Sequence, residues 1–134
     1  MTKIDRIHIN SARTNEWIDI TPDVRRIISE SGVKEGIAVV YVVHTTASVT
    51  VNENVDPHVS RDIMLALNAI SPDRKEFGHR EGNSAAHTLA TLLGPSITLL
   101  VSGGAPILGT YQGIWFIEFD GPQARDVYVR VLGE

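Results

Sequence analysis

Gly36-Ile37-Ala38-Val39-Val40-Tyr41-Val42-Val43 is the most apolar stretch of the chain, and His44-Thr45-Thr46 follows it directly. Its β-branched side chains lose rotamer freedom in a helix and pack well on a pleated surface, so the stretch predicts a strand. The run is unbroken, which predicts a central strand buried on both faces. Everything else has to be arranged around it.

On the N-terminal side, Lys3 to Asn10 alternates, with Ile7 and Ile9 on one face and Arg6 and His8 on the other. Glu16 to Ile20 opposes Ile18 and Ile20 to Trp17 and Asp19, and the turn-rich Asn10 to Asn15 lies between. These features predict an antiparallel hairpin. Thr21-Pro22-Asp23 opens a helix: the Thr21 hydroxyl can cap, Pro22 suits the first position, and Asp23 favours the positive end. Val24, Ile27 and Ile28 form its apolar stripe, and Gly32 supplies a left-handed stop.

On the C-terminal side, Asp56-Pro57 starts a second helix with Val59, Ile63, Met64, Leu67 and Ile70 at helical spacing. Ser71 to Gly82 is a long polar loop, a class that is often functional. Asn83-Ser84 caps a third helix that presents Ala86, Leu89, Ala90 and Leu93 and ends at Gly94-Pro95. Strands follow at Ser96–Val101, Gly113–Phe119 and Arg125–Leu132. The fold class is therefore α+β: a mixed or antiparallel sheet core of six to seven strands with about three helices. No repeat or linker divides residues 1–134, so one domain is expected.

Twelve basic against sixteen acidic side chains leave a net charge of −4, and aromatics are 6% of residues. Neither a basic stripe nor a stacking platform is available, which argues against nucleic-acid binding. No apolar run reaches the roughly 20 residues that cross a bilayer, so no membrane partner is expected. The opening Met1-Thr2-Lys3-Ile4-Asp5-Arg6 has no signal-peptide core, and a cytoplasmic chain is the expectation. Zero cysteines exclude disulfides, thiol nucleophiles and Cys-ligated metal; imidazole and carboxylate are the ligands left.

Among five histidines, His8 reads as an exposed strand residue and His58 as a solvent-facing residue of a first helical turn. His44 ends the apolar strand, His79 lies in the long loop, and His87 lies near the start of the third helix. Small or polar neighbours leave room beside each ring. Three imidazoles with an open position would make a catalytic-type zinc site, and separate hydrogen-bonded histidines are the competing reading. In Asn52-Glu53-Asn54-Val55-Asp56-Pro57, Asp56 reads as a helix cap that can also border a site. Glu53 reads as a general acid/base, a residue orienting a ligand, or a solvated turn residue.

Ser102 to Gly113 contains Gly-x-x-x-x-Gly-Thr without the phosphate lysine, and a strand follows it, so it is not a P-loop. Its glycines serve turns or a close backbone approach, with Thr110 and Gln112 as polar contacts. Asp120-Gly121-Pro122 reads as a turn with a structural Asp120. Arg125 is the best basic residue for an anion, and the Asn83-Ser84 amides at a helix start are a second anion candidate.

Taken in order, His44-Thr45-Thr46-Ala47-Ser48, Asn52-Glu53-Asn54-x-Asp56-Pro57, Gly82-Asn83, Ala86-His87, Leu108-Gly109-Thr110-Tyr111-Gln112, Phe119-Asp120-Gly121-Pro122 and Arg125 resemble the YjbQ-like family, known as secondary thiamine-phosphate synthases. The likeness spans the whole chain, departing at Tyr111, where the family usually has tryptophan, and in the His79–His87 loop, whose length differs among members. It implies an α+β homotrimer with sites near subunit boundaries. It implies a metal, zinc, on His44, His79 and His87, with Glu53 and Asp56 nearby, so that His44, Glu53 and Asp56 become the catalytic candidates. Thr45, Asn83, Thr110, Gln112 and Arg125 become the substrate-binding ones.

The activity implied is joining a pyrimidine methyl diphosphate to a thiazole phosphate with release of diphosphate, as a weak or side activity. Magnesium would accompany a diphosphate substrate. Two alternatives stand beside it. One is a zinc-dependent hydrolase of a small phosphorylated metabolite, with Glu53 accepting the proton of bound water. The other is a non-catalytic, metabolite-binding trimer.

Overall fold

The computed structural model describes residues 3–134. The chain runs β1 (Ile4–Asn10), β2 (Glu16–Asp19), α1 (Thr21–Ser31), β3 (Glu35–Val42), β4 (Ala47–Glu53), α2 (Pro57–Ile70), α3 (Ser84–Leu93), β5 (Ser96–Ser102), β6 (Ala105–Pro106), β7 (Gln112–Glu118) and β8 (Ala124–Gly133). Among the described residues the fold is α+β with three helices, and all the strand pairings are antiparallel. Two sheets replace the single expected core: a five-stranded one ordered β1-β8-β3-β5-β6 and a three-stranded one ordered β2-β7-β4. Two strands have no counterpart among those named from the sequence: β4, in the small sheet, and β6, two residues folded back on the end of β5 through Gly103 and Gly104, both at positive φ.

The main core lies on the inner face of the five-stranded sheet. Ile7 and Ile9 of β1, Ala38, Val40 and Val42 of β3, and Val127, Val129 and Val131 of β8 meet Val24, Ile27 and Ile28 of α1 and Val49, Ile114 and Phe116 of the smaller sheet. The other face of the small sheet carries a second cluster, in which Ile117 and Phe119 pack with Met64 of α2 and Ala86, Leu89 and Ala90 of α3. Three layers result, with the small sheet sandwiched in the middle.

That layering corrects four expectations. The strand after Gly36 is central, between β8 and β5, but its burial is one-sided: Ala38, Val40 and Val42 are buried, while Tyr41 is 47% exposed. The strand buried on both faces is β7, from the middle layer. The first two strands form no hairpin, because β1 pairs with β8 and β2 with β7. After β1 the chain crosses from one sheet to the other, and the Ser11 N–H is taken by Gln123 O at 2.9 Å. Alternation reveals which face a strand buries but not which neighbour it pairs with.

Thr21 does not cap α1 either. It is the first helical residue, and its hydroxyl accepts from Ile114 N–H at 2.8 Å, tying α1 to β7. Gly32 does close α1, at φ 78°. In α2 only Met64 of the expected stripe is fully buried, and Ile70 is exposed, because the helix lies at the margin of the third layer. The Asp56 cap forms as expected, accepting from His58 N–H at 2.9 Å.

Candidate functional site

Pairing between β3 and β8 stops at Val42–Val127, and the chain leaves the large sheet through Val43-His44-Thr45 to enter the small sheet at Ala47. His44 therefore sits where the two sheets part. A cavity of about 360 Å³ opens there. β3 and the crossing contribute His44, Thr45 and Thr46; the 71–83 loop contributes His79 and Asn83; α3 contributes His87; β8 contributes Arg125. Glu81, Asp120 and Gln123 complete the rim. Stretches of the chain as far apart as His44 and Arg125 thus converge, all three candidate histidines among them.

The floor is a buried ion pair. Glu118 of β7 is 0% exposed and Arg125 of β8 is 3% exposed. Arg125 Nε donates to Glu118 Oε1 at 2.9 Å and Nη2 donates to Glu118 Oε2 at 2.5 Å and to Thr46 Oγ1 at 2.8 Å. The carboxylate also accepts from Ser11 Oγ at 2.7 Å and from Asp120 N–H at 3.1 Å. Burial pushes the Glu118 carboxyl upward, but the hydrogen bonds from Arg125, Ser11 and Asp120 outweigh it and hold the group below the ordinary range. Arg125 is thus mostly committed to protein partners; only Nη1 is left without one among the described residues.

Gly121 belongs to this floor. A Cβ there would collide with Arg13 O and crowd Ser11 Oγ and Glu118 Cγ, so the turn after β7 can close over the ion pair only without a side chain.

His44 is fixed by β8. Its Nε2 accepts from the backbone N–H of Asp126 at 2.8 Å. Burial, and then the charge of Arg125, hold its imidazole below the ordinary value, against smaller opposing effects of Asp126 and Glu118. His79 and His87 face each other edge to face with ring centroids 5.5 Å apart. Asn83 does not cap α3 with its side chain; its Nδ2 donates to Asp120 Oδ2 at 2.8 Å, and its Oδ1 is buried without a partner among the described residues.

The residues fit a three-imidazole metal site poorly. Among the described residues no group of three or more His, Asp or Glu side chains stands in a metal-holding arrangement. The three rings share a cavity without forming a ligand set, because the His44 Nε2 lone pair already faces an N–H. Among the described residues the three imidazoles expected to hold zinc therefore line one cavity and make no preformed ligand set.

The other expected site residues lie elsewhere. Glu53 and Gln112 face each other at the far end of the β4–β7 pair, whose near end is Ala47–Glu118. Six strand residues at about 3.3 Å each put that end roughly 20 Å from the histidines. There Glu53 Oε2 accepts from Asp56 N–H at 3.2 Å, Asp56 holds His58, and Gln112 Oε1 accepts from Gly109 N–H at 2.8 Å. Thr110 is exposed beside them. His8 is exposed as expected, though it bonds Asp126 Oδ1 at 3.0 Å.

Five residues of the site were not singled out as chemistry in the sequence: Thr46, Glu81, Glu118, Asp120 and Gln123. For Glu118 there was a signal. One acid inside Trp115-Phe116-Ile117-Glu118-Phe119 must be buried with its neighbours, and a buried carboxylate needs a cation such as Arg125. Asp120 reads as a turn residue on local grounds, yet it lines the cavity and holds Asn83.

The chain is 49% identical over 129 residues to a UPF0047 protein of Methanocaldococcus jannaschii, covering 96% of this chain and 94% of that one. It is 41% identical over 128 residues to the UPF0047 protein YugU of Bacillus subtilis, covering 95% and 97%. Among solved structures, a YjbQ/UPF0047 protein of Clostridium acetobutylicum superposes with a TM-score of 0.93 at 44% identity, over 96% of this chain and 99% of that one. A protein of unknown function from Sulfolobus solfataricus superposes with a TM-score of 0.95 at 34% identity, over 100% and 99%. The family model described as UPF0047 protein YjbQ-like matches residues 5–134, and the chain belongs to that family.

Proposed function

We propose that the cavity around His44, His87 and Arg125 binds a phosphorylated small molecule and that the protein transfers a group from it with diphosphate leaving. The observation that carries this reading is the convergence of three imidazoles, the Thr45 hydroxyl and one guanidinium on a single cavity at the N-terminus of α3, with the Glu81 and Asp120 carboxylates on its rim. Donors aimed at one space stabilise an anion, and most strongly the charge that develops on a leaving group. The thiamine-phosphate synthase reaction suits such a site. The C–O bond to the pyrimidine methylene breaks, its electron pair leaves on diphosphate, and the thiazole nitrogen forms the new C–N bond. Magnesium would arrive with the diphosphate. No step is routed through zinc, and the hydrolase with Glu53 as base has no support from one chain, in which Glu53 lies at the far end of β4.

The reading extends to a homotrimer in the cytoplasm. The outer face of the large sheet exposes Ile4, Tyr41, Leu100 and Leu132, an apolar patch that water-facing sheets avoid and neighbouring copies would cover. Glu53, Asp56, Thr110 and Gln112 would then reach a histidine cavity only from a second copy. Sedimentation equilibrium is expected to give three chains, and Leu100→Asp to give one; a native monomer would overturn the assembly.

Calorimetry with pyrophosphate tests the site. Saturable binding that weakens about tenfold or more in His87→Ala is expected, the scale of one lost hydrogen bond to a charged group. Turnover of a pyrimidine methyl diphosphate and a thiazole phosphate tests the reaction. No pyrophosphate binding by the native protein would overturn the phosphate reading, and binding without turnover would overturn the transferase.

A further inference from the structure

We propose that His44 is the cavity's neutral hydrogen-bond donor: the Asp126 amide claims Nε2, which fixes the imidazole proton on Nδ1 and directs that N–H to an anion. This rests on the phosphate reading for its acceptor, but not for its tautomer.

Antiparallel pairing of β3 with β8 ends at Val42–Val127, and the next residue of β8, Asp126, has no β3 residue registered opposite it. Its N–H would be left unpaired at the strand end. His44 Nε2 takes it at 2.8 Å, so the imidazole stands where a backbone carbonyl would have stood. An unpaired amide at a sheet margin is a standing requirement of the fold, so the ring is oriented whether or not a ligand is present.

A neutral imidazole carries one proton. With Nε2 accepting, the proton is on Nδ1. Nδ1 has no protein partner among the described residues, and the ring lines the cavity with Arg125 and His87. Protonating Nε2 would set two N–H groups against each other, and burial and Arg125 also disfavour the cation. A metal could not use Nε2 without breaking the Asp126 bond, nor Nδ1 without displacing its proton.

Asp126 thereby becomes a positioning residue through its main chain. Its side chain lies on the other face, where His8 Nδ1 bonds it at 3.0 Å and Arg6 Nε approaches to 3.9 Å. Consecutive residues of β8 serve the cavity differently: Arg125 by its side chain from below, Asp126 by its amide from the edge.

Long-range proton–nitrogen correlation spectra of ligand-free, nitrogen-labelled protein above neutral pH test the tautomer. The expected His44 pattern is a protonated Nδ1 and a pyridine-like Nε2; a protonated Nε2, or averaging between forms, would overturn the proposal. Titration with zinc alone is expected to leave the His44 pattern unchanged. A His44 shift with affinity lost tenfold in His44→Ala would overturn it.

Two substitutions separate the ring nitrogens. The His44→Asn amide can place a donor near Nδ1, whereas His44→Gln can accept the Asp126 N–H but has no donor at Nδ1. Pyrophosphate affinity is expected to stay within a few-fold in His44→Asn and to fall about tenfold in His44→Gln. The reverse order would overturn the donor role. If pyrophosphate does not bind the native protein, the phosphate reading and the donor's target fail together, while the nitrogen spectrum still decides the tautomer.

Discussion

The small sheet has two ends, and they are built on different principles. At one end, where Ala47 faces Glu118, a charged pair is sealed from water and bonded on nearly every side, with a cavity above it. At the other, where Glu53 faces Gln112, the polar side chains stay near the surface and satisfy local backbone groups. Motifs mark both ends equally in the sequence. Only the first end is a chemical environment within one chain; the second is a set of turns and caps. A motif states which residues a fold keeps together along the chain, not which ones share a space.

The largest test of this contrast removes half of the sealed pair. Arg125→Leu leaves the Glu118 carboxylate buried and alone, and should cost about 3–5 kcal/mol in urea denaturation. The double variant Arg125→Leu, Glu118→Leu should regain most of that loss, because the cost lies in the unpaired charge. A single-variant loss below about 1 kcal/mol would mean that water reaches Glu118, and the two ends would not differ in kind.

The next test uses acid. The folded-state carboxyl of Glu118 is held below its ordinary value, so its contribution is present above that value and disappears as pH falls through the folded one. The imidazole of His44 is depressed as well; protons bind the unfolded chain more readily, and stability falls as pH drops below 6.5 toward the folded value. Thermal unfolding followed against pH should show both losses. His44→Asn should flatten the upper one and Glu118→Leu with Arg125→Leu the lower one.

Smaller effects are expected at the open end. Asp56→Ala deletes the α2 cap and should cost about 1 kcal/mol. Glu53→Gln should move stability by less than about 0.5 kcal/mol. In the proposed trimer the same Glu53→Gln should nonetheless cut turnover, because the carboxylate would work in a neighbouring copy's cavity. Unchanged turnover would confine Glu53 to holding the Asp56 amide.

Much of this was legible in the sequence, for reasons that also explain what was not. The elements were readable because periodicity, proline and glycine act locally: Pro57 after Asp56, Gly32 after α1, the alternation in β1. Pairing was not, since Ile7 and Ile18 carry no mark of their separate sheets. The doubly apolar β3 was misleading because its outer face is apolar without being covered in one chain. Of the site, His44, Thr45, His79, Asn83, His87 and Arg125 are legible as chemistry and do share a cavity. The bond from Asp126 to His44 was out of reach, since a backbone amide has no letter in a sequence.

The alternation of β8 has one more consequence. Arg125 turns inward and Asp126 offers its amide at the edge because the strand holds one phase relative to Glu118, seven positions earlier. Substitutions can retune the pocket piecemeal. One codon lost between Phe119 and Ala124, if it slipped that phase, would point the guanidinium at solvent, bury an aspartate against the glutamate, and abolish pair and imidazole anchor in a single event. Length in that turn should therefore be the feature that divergent descendants change last.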